Sequence, residues 1–445
     1  MTDSPRPDLV HPGAMTTTPV AAPTARRSPW AAIISGSFGN VLENYDSIIY
    51  GYAAASLAKL FFPATSSVAG LLYTFAVFAV GFVIRPLGAV YFGHMGDRFG
   101  RRKALIVSVV MMAVATTVIG LLPTYRTIGV AAPILLVLAR LVQGFSVGGE
   151  WAGSAAFLVE YSPDAKRGRY GSAQQVSTGI GFLLAAAVAS GNATIFSDAQ
   201  MLAWAWRIPF LLGLVTGIAA LWLRLRVPET PVYQETEAEG EVVANPIVKS
   251  VKTQFGAIVR GFGFTILWTL AYFLFLTYLP TYLTENVGLP QGQAQGSNLV
   301  ALAVFIVLIP VCGALSDRFG RKPLLLTGAI GFVVLSFPVM MMISTGHLAL
   351  VYAGQLIIAV CMAAFSGPGP AAMAEMFPTE VRYSALSIGY NAAVMLFGGT
   401  AAFLATALVS LTGSNLSPAL LSTVAAVITA IVVATMPETA RKPLR

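Results

Sequence analysis

Charged residues are scarce in this sequence. Asp, Glu, Lys and Arg together make up 10% of its 445 residues, whereas a soluble globular domain is about one quarter charged. Hydrophobic residues make up 56% of the chain, and the mean hydropathy is +0.75. The low charge excludes an ordinary water-soluble domain, and the apolar excess indicates an integral membrane protein.

Residues that carry chemistry are equally few. The chain has two cysteines and three histidines. Cys312 and Cys361 both fall inside apolar stretches, which favours a packing role over a disulfide or a metal ligand. The histidines lie apart from one another, and no nucleotide-binding or nucleophile motif accompanies them. We therefore expect no metal site, no cofactor and no enzymatic activity.

Long apolar runs are abundant. Each is long enough to cross a hydrocarbon core of about 30 Å as a helix, and lipid requires helices because it cannot satisfy exposed backbone groups. We expect an all-α membrane protein with twelve transmembrane helices. The predicted spans are 31–60, 68–95, 104–123, 130–159, 170–195, 204–224, 258–284, 297–315, 323–344, 348–375, 384–411 and 417–436.

The positive charges follow an alternating pattern. Most of the 27 lysine and arginine residues lie in the terminal tails and in every second connection between spans. Examples are "DRFGRRK" (97–103), "DAKRGR" (164–169) and "DRFGRKP" (317–323). The positive-inside rule then predicts that both termini are cytoplasmic. Topology accounts for the net charge of +8, and we expect no nucleic-acid partner.

The chain contains an internal repeat. "GHMGDRFGRRK" (93–103) returns as "GALSDRFGRKP" (313–323), and "VEYSPDAKRGRYG" (159–171) returns as "AEMFPTEVRYSA" (374–385). Such a repeat predicts two six-helix halves. The expected organisation is a disordered cytoplasmic tail (1–29), an N-terminal half (30–226), a cytoplasmic linker (227–255), a C-terminal half (256–437) and a short cytoplasmic tail (438–445).

The duplicated loop, G-x-x-x-D-R-x-G-R-[RK], resembles the signature of the major facilitator superfamily. Within that superfamily, "GNVLENYDSIIYGY" (39–52), "RLVQGFSVGGEWAGS" (140–154) and "PTEVRYSALSIGYN" (378–391) resemble the metabolite:proton symporter family. The resemblance implies a twelve-helix fold of two pseudo-symmetric halves that works by alternating access in the bacterial cytoplasmic (inner) membrane. It also implies a monomer whose partners are a small-molecule substrate, protons and membrane lipid, with the proton gradient as energy source.

Two acids interrupt the first span. Asp46 lies about 22 Å along this helix, at 1.5 Å per residue, and so deep in the hydrocarbon. Glu43, Asp46 and Tyr50 follow helical spacing, and Asn40 and Ser47 extend the same polar stripe. An ionised residue at the bilayer centre costs about 2.5–3.5 kcal/mol. We therefore expect the stripe to face the interior of the bundle.

Cations that could compensate these acids occur in the same half. Arg85 lies in the second span and Arg140 in the fourth, with Glu150 further along it. The second half differs, because no Asp, Glu, Lys or Arg occurs between residues 323 and 374 or between residues 383 and 437. A purely structural ion network would be expected in both repeats, so the asymmetry favours a functional role.

We predict that this role is proton coupling. Asp46, paired with Arg140, is the first candidate for the proton carrier and Glu43 is the second, with Glu150 in the same group. A carboxylate beside an arginine is held ionised and can take a proton when the pairing weakens. The alternative is a static salt bridge inside the membrane.

Arg85 is predicted to hold a carboxylate of the substrate, because a guanidinium binds a carboxylate through two parallel hydrogen bonds. Pairing with Glu43 is the alternative for this residue. Neutral donors and aromatic rings are expected to complete the site. The other predicted substrate-binding residues are Asn40, Tyr50, Tyr272, Gln355 and Asn391.

The family resemblance also implies a gate at the cytoplasmic end. The residues expected to latch the helices there are Asp97, Arg101, Glu160 and Arg169, with Asp317, Arg321, Glu375 and Arg382 as the pseudo-symmetric set. The alternative is that these loops only fix topology. Acids at defined positions do not contribute to the positive-inside rule, which favours the gate.

The sequence thus predicts a proton-coupled symporter that imports a small organic anion, such as a carboxylate. A symporter for a zwitterionic osmolyte, betaine or proline, is an alternative within the same resemblance. A proton-antiport drug exporter of the same superfamily would be expected to carry a glycine- and proline-rich signature in the fifth span, and residues 171–189 have no proline. A membrane enzyme or a sensor is a further alternative, although no enzyme motif or attached signalling domain is visible.

Overall fold

The computed structural model describes residues 29–63, 66–99, 101–148, 150–160, 162–226, 246–378, 381–442 and 444. Within this part of the chain all regular secondary structure is helical, as predicted. The N-terminal tail up to residue 28 and residues 227–245 of the predicted linker lie outside the described residues.

The N-terminal half extends to Arg226. Its helices are α1 (Pro29–Tyr52), α2 (Ala54–Phe61), α3 (Ser67–Val83), α4 (Arg85–Phe99), α5 (Arg101–Leu121), α6 (Tyr125–Ile128), α7 (Ala131–Ser146), α8 (Glu150–Glu160), α9 (Arg167–Ile195), α10 (Asp198–Ala203) and α11 (Ile208–Arg226).

The helix that leads into the C-terminal half begins at Pro246, within the predicted linker, and its backbone leaves helical geometry at Gln254. The helices of this half are α12 (Pro246–Ala271), α13 (Leu279–Glu285), α14 (Gln291–Phe319), α15 (Arg321–Ser344), α16 (Leu348–Ser366), α17 (Gly369–Glu375), α18 (Arg382–Ala393), α19 (Ala401–Thr412) and α20 (Ser417–Thr435).

Helix occupies most of every predicted span, in the predicted order. Among the described residues, nine helices are long and apolar enough to cross a membrane. The first span, which carries the polar stripe, is not among them. The apolar parts of the third and sixth spans are shorter, at Ile106–Leu121 and Ala205–Ala219. The helical membrane class is therefore confirmed.

Several spans are interrupted near their middle. Ile84 separates α3 from α4, whose second residue, Pro86, has no backbone N–H to continue the helix. Val147 and Gly148 lie between α7 and α8. Two wider π-helical turns, Tyr272–Tyr278 and Val394–Gly398, follow α12 and α18. π-turns are frequent at functional sites, and these interruptions lie beside the residues discussed below.

The two halves pack against each other along α9 and α14. Gly168 and Gly313 face each other in this contact. A Cβ atom on Gly313 would lie 2.6 Å from the carbonyl oxygen of Gly168, so only glycine permits this contact. Close packing of α9 on α14 therefore forms part of the interface between the halves.

Candidate functional site

The polar stripe of α1 faces the interior of the bundle, as predicted. Glu43 is 8% exposed and Asp46 is 1% exposed, and Asn40 and Ser47 are also buried. The helical spacing of these residues thus places two acids inside the protein.

Asp46 is buried, and no described residue forms an ion pair with it. Among the described residues, neither oxygen of its carboxyl group has a hydrogen-bond partner. Thr216 of α11 lies beside it, but the Thr216 hydroxyl donates its hydrogen bond to the carbonyl oxygen of Gly213, at 3.0 Å. The carboxyl group of Asp46 is therefore buried without a hydrogen bond to either oxygen from the described part of the chain.

Arg140 does not pair with Asp46, which corrects the prediction. Its guanidinium donates to the side-chain oxygen of Gln143 and, at 3.3 Å, to the carbonyl oxygen of Phe78. It also lies 4.6 Å from the ring centroid of Tyr50. The reason is Gln143, which accepts from Arg140 and donates to the backbone carbonyl of Asp46 at 2.8 Å. The glutamine thus links the two residues indirectly.

Arg85 and Glu43 belong to one group of electrostatically interacting residues at the interface between the halves. Each interacts electrostatically with the other and with Tyr390 of α18. The guanidinium of Arg85 also lies 4.1 Å from the ring centroid of Phe82. The structure therefore places a guanidinium and a carboxyl group within electrostatic range of each other, and pairing of Arg85 with Glu43 stays a prediction. The side chain of Glu150 lies outside the described part of the chain.

Aromatic rings adjoin this charged pair. Trp151 of α8 stacks on Tyr390 with 3.7 Å between the ring centroids and 2° between the planes. Trp268 of α12 meets Trp151 edge to face at 5.6 Å, and its indole N–H donates to the hydroxyl of Ser366 at 3.0 Å. One ring comes from the N-terminal half and two come from the C-terminal half.

Two of the neutral residues predicted to bind substrate lie at the same interface. The hydroxyl of Tyr272 donates to the side-chain oxygen of Gln175 at 2.7 Å. The amide of Asn391 donates to the carbonyl oxygen of Gly148 at 3.3 Å. Both hydrogen bonds join one half to the other. Separation of the halves would therefore break them.

The other three neutral residues lie elsewhere. The amide of Asn40 donates to the hydroxyl of Ser177 at 2.7 Å and so joins α1 to α9 within one half. Gln355 donates to Ser297 at 2.9 Å within the other half. The hydroxyl of Tyr50 donates to a backbone carbonyl of α3 at 3.2 Å. Each of these groups has a packing role that the sequence did not reveal.

The residues missed by the sequence analysis are Gln143, Gln175, Trp151 and Trp268. A signal existed for the two glutamines, because polar side chains inside apolar spans are rare and often functional. No comparable signal existed for the tryptophans, since most aromatic residues of membrane proteins serve packing or line the membrane surfaces.

The charged loop residues whose side chains are described lie at one end of the bundle, here named the basic end. There the guanidinium of Arg382 forms an ion pair with Glu160 at 2.5 Å, which joins the two halves. Arg382 is 1% exposed. The side chains of Asp97 and Arg101, predicted to belong to the same gate, lie outside the described residues.

A second group at the basic end is formed around Arg321. Its guanidinium forms ion pairs with Asp317 at 2.7 Å and with Glu375 at 3.2 Å. The carboxylate of Asp317 also accepts from the backbone N–H groups of Gly168 and Arg169, at 2.8 and 2.9 Å. Arg169 thus contributes its backbone to this contact between the halves.

The segment after α20 closes over the same end. The carboxylate of Glu438 accepts from the backbone N–H groups of Arg321 and Lys322, at 2.9 and 3.0 Å. Burial alone would raise the pKa of Glu438, but these and other backbone donors hold it below its usual range. Arg167 donates to the carbonyl oxygen of Lys442 at 2.7 Å. The C-terminal segment therefore contacts both halves.

The halves also meet at the opposite end. The hydroxyl of Tyr52, at the end of α1, donates to the carbonyl oxygen of Leu276 at 2.6 Å. Asn298 of α14 donates to the same carbonyl at 2.9 Å and to the Tyr52 hydroxyl at 3.2 Å. The halves therefore contact each other at both ends of the bundle.

Sequence comparison identifies relatives over nearly the whole chain. A profile of the family described as "Sugar (and other) transporter" matches residues 32–258 and 234–445. The proline/betaine transporter of Escherichia coli (strain K12) is 39% identical over 427 residues, covering 93% of this chain and 84% of the relative. The glycine betaine/proline/ectoine/pipecolic acid transporter OusA of Dickeya dadantii (strain 3937) is 37% identical over 427 residues, with the same coverage.

Structural comparison supports the fold independently. The xylose transporter XylE from E. coli, in a partially occluded inward open conformation, superposes with a TM-score of 0.75 at 20% identity. The match covers 94% of this chain and 99% of that structure. At this identity the likeness concerns the fold, which is that of the major facilitator superfamily.

Proposed function

Because the chain belongs to the sugar (and other) transporter family of the major facilitator superfamily, we propose that it is a proton-coupled symporter importing a small zwitterionic osmolyte. The proline and betaine class is favoured because relatives with 39% and 37% identity are named as transporters of such compounds. These relatives favour the zwitterion, the alternative of the sequence analysis, over the organic anion expected from Arg85 alone.

The observation that carries this proposal is the similarity to the two named relatives, and the electrostatic interaction between Arg85 and Glu43 agrees with it. An organic anion requires an excess of positive charge, but here a carboxyl group lies beside the guanidinium. A zwitterion carries one charge of each sign, and it matches such a pair when its carboxylate meets Arg85 and its cationic end lies on the side of Glu43. Complementary charges confer specificity in this way.

The substrate reaches this site by alternating access. The basic end is cytoplasmic in this proposal, with both termini on that side of a bacterial inner membrane. The contacts at both ends of the bundle fit a closed state between the outward-open and inward-open states. The chain works as a monomer, needs no cofactor or chemical step, and takes its energy from the proton gradient.

Asp46 is the proposed proton carrier. Burying an ionised carboxylate without a partner costs roughly several kcal/mol of free energy. In this proposal Asp46 therefore carries its proton in the closed state. The guanidinium of Arg140 is linked to it through Gln143. When the halves separate and water enters, Asp46 releases the proton and Arg140 turns towards the carboxylate. Glu43 remains the second candidate.

The substrate class is tested by competition in proteoliposomes. Uptake of radiolabelled glycine betaine driven by a pH gradient should be inhibited by unlabelled proline and glycine betaine, and not by succinate or another dicarboxylate. Each competitor is present at the same concentration and internal pH is monitored. Inhibition by the dicarboxylate alone would instead favour the organic anion and refute the zwitterion.

The ion pairs at the basic end are the proposed gate. Glu160→Gln removes the charge that pairs with Arg382 across the halves, so the basic end should open more often. A partly exposed ion pair contributes about 0.5–1 kcal/mol, which corresponds to an increase of about two- to fivefold in the open population.

The measurement is the rate of maleimide labelling of Ser172→Cys, with Cys312 and Cys361 replaced by alanine. Ser172 is buried beside Gly313 at the basic end, so its labelling reports opening. Glu285→Gln, the same substitution near the opposite end, is the control and should leave the rate unchanged. Equal rates in Glu160→Gln and the parent would remove this ion pair from the gate.

A further inference from the structure

The stack between Trp151 and Tyr390 is an unusual contact. The two rings belong to different halves and lie almost parallel, with centroids 3.7 Å apart. Aromatic pairs prefer offset or edge-to-face arrangements with centroids 4.5–7 Å apart, because the faces of both rings are electron-rich. At this separation two electron-rich faces oppose each other across the interface on which the halves part.

A third ring adjoins the stack. Trp268 meets Trp151 edge to face at 5.6 Å, with 82° between the planes. The indole nitrogen of Trp151 is buried and has no hydrogen-bond partner among the described residues. The three side chains, named here the aromatic box (Trp151, Trp268 and Tyr390), thus combine two large indole surfaces with a phenol.

The intramembrane arginines use other rings. Arg85 lies over Phe82 at 4.1 Å, and Arg140 lies over Tyr50 at 4.6 Å. Within the described part of the chain, no guanidinium therefore covers a ring of the aromatic box. A cation placed between or beside such faces is attracted by them, and the attraction is stronger where water is excluded.

The geometry points to the aromatic box as the subsite that binds the cationic end of the substrate, with the carboxylate of the substrate on Arg85. This inference rests on the proposed function, which supplies a zwitterion as substrate. Tyr390 joins the two subsites, because it stacks on Trp151 and interacts with Arg85 and Glu43. The substrate class is then best defined as zwitterions with methylated or secondary ammonium groups.

This arrangement also explains how binding relates to movement. Trp151 is carried by the N-terminal half, whereas Tyr390 and Trp268 are carried by the C-terminal half. Opening the bundle separates the faces and admits the substrate. Because the two rings are in contact here, at 3.7 Å, closure around an ammonium group must leave the faces further apart than in this substrate-free arrangement. The aromatic box is complete only when the halves are together, so a well-fitting cation favours closure.

The test compares a cation with its neutral isostere. Glycine betaine and 3,3-dimethylbutanoate have the same shape and carboxylate, but a carbon atom replaces the quaternary nitrogen in the second compound. Each is used as a competitor of labelled proline uptake in proteoliposomes. Binding to the purified protein is measured in parallel by isothermal titration calorimetry. The quantity of interest is the discrimination ratio between the two compounds.

The parent should prefer glycine betaine strongly. Trp151→Leu should reduce the discrimination ratio by about tenfold, because a desolvated cation–π contact is lost. Trp151→Phe keeps a π face and should retain most of the ratio. Trp222→Leu, which removes an exposed indole on α11, is the control and should match the parent. Tyr390→Leu removes the opposing face and supplies the same readout should Trp151→Leu not fold.

Two outcomes overturn the inference separately from the proposed function. If the parent transports glycine betaine but Trp151→Leu and Tyr390→Leu keep its discrimination ratio, the aromatic box is not the cation subsite. If Glu43→Gln loses the discrimination ratio while Trp151→Leu and Tyr390→Leu keep it, the carboxyl group of Glu43 holds the ammonium group instead of the aromatic box. If the parent neither binds nor transports glycine betaine or proline, the proposed function and the subsite are both refuted.

Discussion

We expect Asp46→Asn to abolish proton-driven accumulation while substrate exchange continues. Asparagine has a similar volume but cannot bind or release the coupled proton, so the substrate should equilibrate without being concentrated. Exchange does not require the return of the empty, deprotonated carrier. The paired measurement is uptake driven by a pH gradient and counterflow without a gradient, both in reconstituted vesicles with protein amounts matched.

The structure sharpens this expectation. Among the described residues the Asp46 carboxyl group has neither an ion pair nor a hydrogen bond, so its replacement by an amide does not leave Arg140 unpaired. A structural salt bridge would predict loss of folding and of both activities. Glu43→Gln is the matched control for the second candidate. Full proton-driven accumulation in Asp46→Asn would exclude Asp46 as the carrier and make Glu43 the carrier instead.

The second large effect is expected for Arg85→Lys. Lysine keeps the positive charge beside Glu43 but loses the planar pair of donors that fits a carboxylate. Hydrogen bonds to charged groups contribute about 1.5–3 kcal/mol. The apparent KM for glycine betaine should therefore rise by about ten- to a hundredfold, which means weaker binding. Initial rates of uptake over a range of substrate concentrations measure this change.

Arg126→Lys supplies the control, because Arg126 is exposed near the opposite end and should tolerate the substitution. Unchanged uptake kinetics in Arg85→Lys would show that Arg85 serves only as the partner of Glu43. A lower maximal rate with unchanged affinity would likewise remove it from the binding site.

The sequence was sufficient for the fold because hydropathy acts over whole segments. Long apolar runs and the repeated loops predicted the order of the helices and their division into two halves. The helical spacing of Glu43 and Asp46 also predicted correctly that both acids face inward. These features depend on the period of the helix and on the cost of charge in lipid. Both can be evaluated without knowing which side chains contact each other in the folded protein.

The partners of individual side chains could not be predicted in this way. A helical period identifies the face on which Arg140 lies but not whether Gln143 or Asp46 receives its hydrogen bond. The same limit applies to Asn40, whose amide joins α1 to α9. The stack of Trp151 on Tyr390 joins residues from two halves of the chain, so it depends on how the halves dock.

The central claim is that movement of a zwitterion is coupled to movement of protons, and it can be measured directly. Proteoliposomes containing the parent protein and an internal pH-sensitive dye are diluted into glycine betaine, without an initial pH gradient. An electrical shunt is provided by potassium and valinomycin. Inward movement of the substrate should acidify the lumen, and Asp46→Asn should abolish the acidification. Entry of labelled glycine betaine into parent vesicles without any acidification would contradict the account.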